Sequence, residues 1–205
     1  MNRTRSVLAA AAAAALLPLS ASAAGIGAYA GVMDTELLGE SVIYGAQLEL
    51  DFAPCVSVLV RGGYAGDFDD LAISADKGLP SVRGDGLELV PVELGVLIRP
   101  PELFGFLGIY AGGGAGWDFV PGFDVKSGDR LVAETEDIDD LIGWWALAGI
   151  EAGVPNFHVF AEVKYAHAVD DDLEVDFRNV RDRGNLSIDM DLTGVSVLVG
   201  VRVSW

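Results

Sequence analysis

Eight stretches of this 205-residue chain alternate apolar and polar side chains with a period of two. They are Ile26–Met33, Ser41–Phe52, Cys55–Tyr64, Leu87–Ile98, Phe106–Phe119, Ile142–Val154, Phe157–His167 and Thr193–Trp205. Successive side chains of a strand point to opposite faces, so each stretch makes a ribbon with one greasy side and one polar side. In the last, TGVSVLVGVRVSW, the residues Val195, Val197, Val199, Val201, Val203 and Trp205 share a face against Ser196, Leu198, Gly200, Arg202 and Ser204. Most stretches reach the length of about ten residues that a tilted strand needs to cross a bilayer. No convincing helical period competes with them after the first segment.

The connections alternate in kind. Strands two and three join through Ala53-Pro54, four and five through RPPELFG, and six and seven through Val154-Pro155-Asn156, all tight and proline-containing. The other four, DTELLGE, Ala65–Gly86, Val120–Leu141 and Ala168–Leu192, read as longer loops. Charge follows the same division. Those four loops carry net charges of −3, −3, −5 and −5, almost the whole of the formal −18. Short turns on one side and long acidic loops on the other describe an all-β, eight-stranded antiparallel up-and-down transmembrane barrel.

Residues 1–23 stand apart. A basic start (Arg3, Arg5), an apolar run from Val7 to Leu19 and the small-residue pattern Ala21-Ser22-Ala23 read as a cleaved secretory signal peptide. Residues 24–205 then form one barrel domain. The single cysteine, Cys55, allows no internal disulfide and reads as a small strand residue near a turn. The negative charge excludes nucleic acid as a partner, since phosphate binding needs basic patches.

Two readings of the faces compete: apolar outward in lipid, or apolar inward around a ligand. Aromatic placement favours lipid. Tyr44, Tyr64, Trp117, Trp144 and Tyr165 fall on the apolar face at the long-loop ends, and Phe52, Phe157 and Trp205 on the same face at the short-turn ends. Two aromatic belts around an aliphatic band match the two interfaces of a membrane. The polar face then lines the lumen with Glu49, Asp51, Glu93, Asp118, Glu151 and Glu162 against Arg61, Arg99, Lys164 and Arg202, charges that must pair to be tolerated there. On the first strand Ile26, Ala28, Ala30 and Val32 face lipid and Tyr29 faces inward. In GLELVPVELGVLIRP, Glu88 and Glu93 have opposite parity, so a bulge is expected near Pro91 that returns Glu88 to the lumen.

The signal peptide, the eight amphipathic strands and the terminal VGVRVSW together resemble the small bacterial outer-membrane β-barrel family, the OmpA/OmpX-like proteins. The resemblance is architectural and spans the chain after residue 23. It implies an integral protein of the outer membrane of a Gram-negative-type bacterium, surrounded by outer-membrane lipids and lipopolysaccharide. It also implies that the barrel-insertion machinery reads the C-terminal strand, with Trp205 in the place usually held by phenylalanine.

No residue pattern carries a catalytic, cofactor-binding or metal-binding assignment, and no cofactor is expected. An esterase acting on outer-leaflet lipid needs a serine beside a histidine. His167 has the right height, but Val169 and Asp170 follow it where a lipid A deacylase-like pattern places serine, and His158 lies at the other end. The glycines Gly112, Gly114 and Gly116 of GIYAGGGAGW face the lumen without forming a phosphate loop. They either accommodate large neighbours or leave a small cavity. The acidic runs DFDD, EDIDD and VDDDLEVD lack the spacing of a calcium loop and read as a solvated surface. The expected function is that of a non-enzymatic, porin-like-family barrel with a structural or surface-interaction role and a closed, salt-bridged lumen. A narrow conduit or small-solute binding barrel is the alternative, and a lipid-modifying esterase the third reading.

Overall fold

Each of the eight period-two stretches holds one strand of the wall. The computed structural model describes residues 24–35, 39–66, 71–73, 82–85, 88–101, 106–120, 124–127, 130–134, 141–168, 172–175, 186–189 and 193–205. The segment read as a signal peptide lies outside them, as do the runs DFDD and EDIDD. The barrel strands are β1 (Ala24–Thr35), β2 (Gly39–Ala53), β3 (Val56–Gly66), β6 (Val90–Ile98), β7 (Leu107–Phe119), β10 (Leu141–Val154), β11 (Phe157–Ala168) and β14 (Gly194–Ser204). Each pairs antiparallel with its chain neighbours, and β1 pairs with β14 from Gly25↔Ser204 to Thr35↔Gly194, closing the sheet. Two backbone hydrogen bonds between Ala24 and Trp205 finish the seam, N to O at 3.2 Å one way and 3.0 Å the other. Closure satisfies every strand edge of the wall, the condition for backbone to lie in hydrocarbon.

The apolar face is outside. Val199 is 56 % exposed while its neighbour Leu198 is fully buried, and Ile26, Val32, Ile150, Val163 and Val197 are exposed in the same way. Tyr29 is buried inside β1, as its parity predicts. Tyr44, Trp144 and Tyr165 stand exposed towards the loop end, Phe52, Phe157 and Trp205 towards the turn end, and Phe106 joins the second group. Tyr44 packs on Tyr64 (ring centroids 5.4 Å apart) and Trp144 on Tyr165 (5.6 Å). A soluble barrel has the opposite sense.

Several details differ from the sequence reading. The first loop is tight: β1 and β2 run on through Asp34↔Glu40 to Thr35↔Gly39, leaving only residues 36–38 between them. Gly39 takes a φ of 73°, a left-handed turn conformation open to glycine. Cys55 lies in the turn with Pro54, and β3 begins one residue later. The register of β2 against β3 shifts between Asp51 and Ala53, a bulge that the sequence did not announce.

The bulge expected at Pro91 is absent. The β3–β6 ladder stops at Gly62↔Val92 and resumes in the same register at Ala65↔Leu89, and the β6–β7 ladder is continuous through Pro91↔Asp118. Proline lacks the one donor on the β3 side, so the ladder skips a rung without slipping. Glu88 therefore keeps its outward parity and is exposed, while Leu89 is buried.

The long loops carry short strands of their own. These are β4 (Leu71–Ile73), β5 (Val82–Asp85), β8 (Asp124–Ser127), β9 (Arg130–Glu134), β12 (Asp172–Val175) and β13 (Leu186–Asp189). The first four form one sheet in the order β4-β5-β8-β9, the same order as the barrel strands β3-β6-β7-β10 that they follow or precede in the chain. The second and third loops thus pair with each other through β5 and β8. The fourth makes a separate hairpin, β12–β13.

Candidate functional site

The lumen is where the chemistry-bearing side chains converge, and they do so in three layers. At the turn end, two arginines and two glutamates alternate in a ring. Arg99 Nη2 lies 2.6 Å from Glu49 Oε2, Arg202 Nη1 2.5 Å from the same oxygen, Arg202 Nη2 3.0 Å from Glu151 Oε2, and Arg99 Nε 3.5 Å from Glu151 Oε1. The four residues come from β2, β10, β14 and the end of β6, so the ring ties distant parts of the wall together. Outside it is a vestibule of about 300 Å³, which His158 and Asp51 also line. Ser57 donates to Asp51 at 2.7 Å.

The middle layer is drier. Gln47 donates to Glu49 (2.8 Å) and accepts from Arg61 Nη2 (2.7 Å), and Arg61 donates on to Glu162 (2.7 Å). Tyr110 gives its hydroxyl to Glu162 at 2.7 Å. The Arg61 guanidinium stacks over the Tyr29 ring at 4.9 Å and that of Arg99 over Tyr110 at 5.0 Å. Arg61 is 1 % exposed, which makes its pairing obligatory rather than decorative. Leu59, Leu97, Leu198 and Phe160 fill the bore between the ions. In the outer layer Lys164 donates to Glu93, and Asp118 lines the same small cavity of about 30 Å³. The lumen is thus occupied by side chains along its length, as expected for eight strands.

Room for the large inward side chains comes from glycines on facing strands. A Cβ at Gly149 would sit 2.5 Å from the Tyr110 ring, one at Gly45 2.5 Å from the Tyr29 hydroxyl, and one at Gly200 would overlap Phe160. Of the lumenal glycines in GIYAGGGAGW, Gly112 lies under Leu97 and Gly114 against the β6 backbone, whereas Gly116 borders the outer cavity. Both sequence readings of this stretch therefore hold, at different positions. Trp145, buried beside Gly116, donates from Nε1 to the Ala115 carbonyl at 3.0 Å.

The histidines stand apart from one another. His158 is half-buried at the vestibule, and His167 is half-buried at the outer rim. His167 Nδ1 is 2.8 Å from the Thr193 hydroxyl, and its ring is 5.6 Å from Trp144. Thr193 is only 7 % exposed. That geometry orients the imidazole and keeps the hydroxyl from an incoming ester. Among the described residues no group of three or more histidine, cysteine, aspartate or glutamate side chains is placed to hold a metal ion. The ion pairs were legible by type; their partners were not.

No family model matches the chain, and no curated protein matches its sequence. Solved structures do match. The N-terminal β-barrel domain of Pseudomonas aeruginosa OprF shares 11 % identity at a TM-score of 0.52, over 89 % of this chain and 97 % of that one. Neisserial surface protein A shares 14 % at 0.55, over 88 % and 95 %. A major outer membrane protein from Thermus thermophilus shares 15 % at 0.54, over 90 % and 100 %. At such identities the likeness speaks to architecture. This chain has the fold of the small eight-stranded outer-membrane β-barrels.

Proposed function

We propose that this chain is a non-enzymatic integral protein of a bacterial outer membrane, exported through a cleaved signal peptide, in which a sealed barrel anchors an acidic external surface. The observation that carries the reading is the filled, ion-paired lumen inside an apolar exterior. Such a wall is stiff and closed, so activity falls to the loops, where the net charge of the sequence is concentrated. In this reading the turn end faces the periplasm and the loop end faces outward. Outer-membrane lipids and lipopolysaccharide surround the wall, and the insertion machinery reads the C-terminal strand.

A conduit for small solutes is the second reading, and the vestibule of about 300 Å³ favours it. Planar-bilayer recording on the purified barrel separates the two. The structural reading expects no unitary conductance above the leak of the bare lipid. Steady, solute-selective steps would overturn it in favour of the conduit.

A further inference from the structure

The long loops hold two amphipathic sheets. In the four-stranded one, successive rows across the strands alternate in character. Leu71, Gly84, Val125 and Ala133 stand in one row, and Ile73 with Val82 in another. The rows that alternate with them carry the charge: Ala72, Arg83 and Lys126, then Asp85, Asp124 and Glu134. Directly opposed residues share a face and successive ones change face, so the register gives this sheet one aliphatic face and one charged face.

The β12–β13 hairpin repeats the pattern. Its rungs Leu173↔Ile188 and Val175↔Leu186 set four aliphatic residues on one face, and Asp172↔Asp189 and Glu174↔Ser187 fill the other. A lone two-stranded hairpin is at best marginally stable in water and needs an apolar surface to lie on. Among the described residues it shares no ladder with the four-stranded sheet. The two nevertheless belong to adjoining strands of the wall. β9 precedes β10 and β12 follows β11, and the ladder of β10 with β11 runs up to Gly143↔Ala168. Only residues 169–171 part Ala168 from Asp172, a reach of at most about 15 Å at 3.8 Å per residue step.

We propose that the two aliphatic faces pack on each other, making a small β-sandwich that caps the loop end of the barrel. Leu173, Val175, Leu186 and Ile188 lie against the aliphatic rows of the four-stranded sheet, with the two sheets about 10 Å apart. The occupant of each face is the other sheet of the same chain, not a second copy. A tether this short gives an effective concentration of about millimolar, above that of a partner molecule in solution. Closure leaves the charged rows outermost. The acidic surface is then a folded platform rather than a set of separate loops. Asp172, Glu174 and Asp189 stand on one side of it, and Asp85, Asp124 and Glu134 beside Arg83 and Lys126 on the other. That this platform faces outward rests on the orientation proposed above; the packing itself does not.

Cross-linking of the folded full chain in detergent micelles tests this, with a short bismaleimide in a Cys55→Ser background. Val125→Cys with Ile188→Cys should link within one chain about tenfold faster than Val125→Cys with Ser187→Cys, which has the same tether but the opposite face. Equal rates would mean that the loops meet at random and would overturn the sandwich. Links between chains in place of links within one would give the faces to a second copy and overturn it as well. Limited trypsin digestion reads the same packing without paired cysteines. Leu173→Asp, in the fourth loop, should speed cleavage after Lys126 and Arg130, in the third, by about fivefold, whereas Glu174→Gln should not. The same cleavage rate in both variants would show that neither sheet depends on the other, against the proposal. Heat-dependent gel mobility verifies that each variant keeps its barrel.

Discussion

Arg202 and Glu49 meet over the first strand, Nη1 to Oε2 at 2.5 Å, although 153 residues separate them in the chain. Arg202 stands on the last strand and Glu49 on the second, with β1 between. The arms can cross because β1 offers glycine beneath them: a Cβ at Gly25 would lie 3.2 Å from Arg202 Cδ, and one at Gly27 3.1 Å from Gln47 Cγ. The barrel is therefore fastened at its seam twice, by the backbone ladder and by an ion pair that forms only once the ladder is closed.

Replacing Arg202 by methionine keeps the apolar stem and leaves Glu49 and Glu151 with Arg99 alone. Breaking a buried pair from one side costs about 3–5 kcal/mol. Arg99 still reaches both glutamates, so the expected loss in urea unfolding from lipid vesicles is at the low end, about 3 kcal/mol. Adding Glu49→Gln to Arg202→Met should cost less than the two single changes summed, because the groups share one network.

Steric coupling between neighbouring strands gives a sharper contrast. Gly200→Ala drives a methyl into Phe160 and the Ala28 carbonyl, whereas Gly62→Ala meets nothing within 4 Å on the outer wall. The first should destabilise the barrel by about 1–3 kcal/mol. The second should leave the unfolding midpoint unchanged. Equal effects in the two would mean that the register placing Gly200 opposite Phe160 is wrong.

Sealing does not depend on the ring alone. Arg99→Ala with Arg202→Ala widens the vestibule, but Arg61, Leu59, Leu97, Leu198 and Phe160 stay in the bore. The double variant should still be silent in planar bilayers. Open-channel current from it would move the seal from the middle of the lumen to the ring.

Period-two alternation made the eight wall strands readable, along with the inward Tyr29 and both aromatic belts. It could not supply what depends on register. Which arginine meets which glutamate follows from the stagger of strands that are far apart in sequence, as Arg61 and Glu162 show at a separation of 101 residues. The role of Gly149 becomes visible only when Tyr110 is found opposite it. Pro91 was misread for a related reason: two glutamates of opposite parity suggested a bulge, but one of them, Glu88, lies beyond the last barrel rung and is free to face outward. The short loop strands carry too few residues for any period to stand out, and the tightness of the first loop rested on one glycine, Gly39.

Trp205 offers a test of assembly distinct from stability. Its backbone completes the seam with Ala24, while its side chain is 62 % exposed. Under the proposed reading of the C-terminal strand by the insertion machinery, Trp205→Ala should lower the folded yield in cells, yet refold normally from urea into detergent. Trp205→Phe should behave as wild type in both settings. A refolding defect as large as the cellular one would make the side chain structural.

The outward orientation of the apolar face underlies every step, and nitroxide accessibility measures it directly. In a Cys55→Ser background, Val199→Cys and Ser196→Cys place labels on opposite faces of β14 in reconstituted vesicles. Collision with oxygen should dominate over collision with a polar nickel chelate for the label at residue 199, as for a group in hydrocarbon. The label at residue 196 should be immobile and shielded from both. A residue-199 label that is immobile and protected, beside a residue-196 label freely reached by the nickel chelate, would turn the barrel inside out and contradict the account.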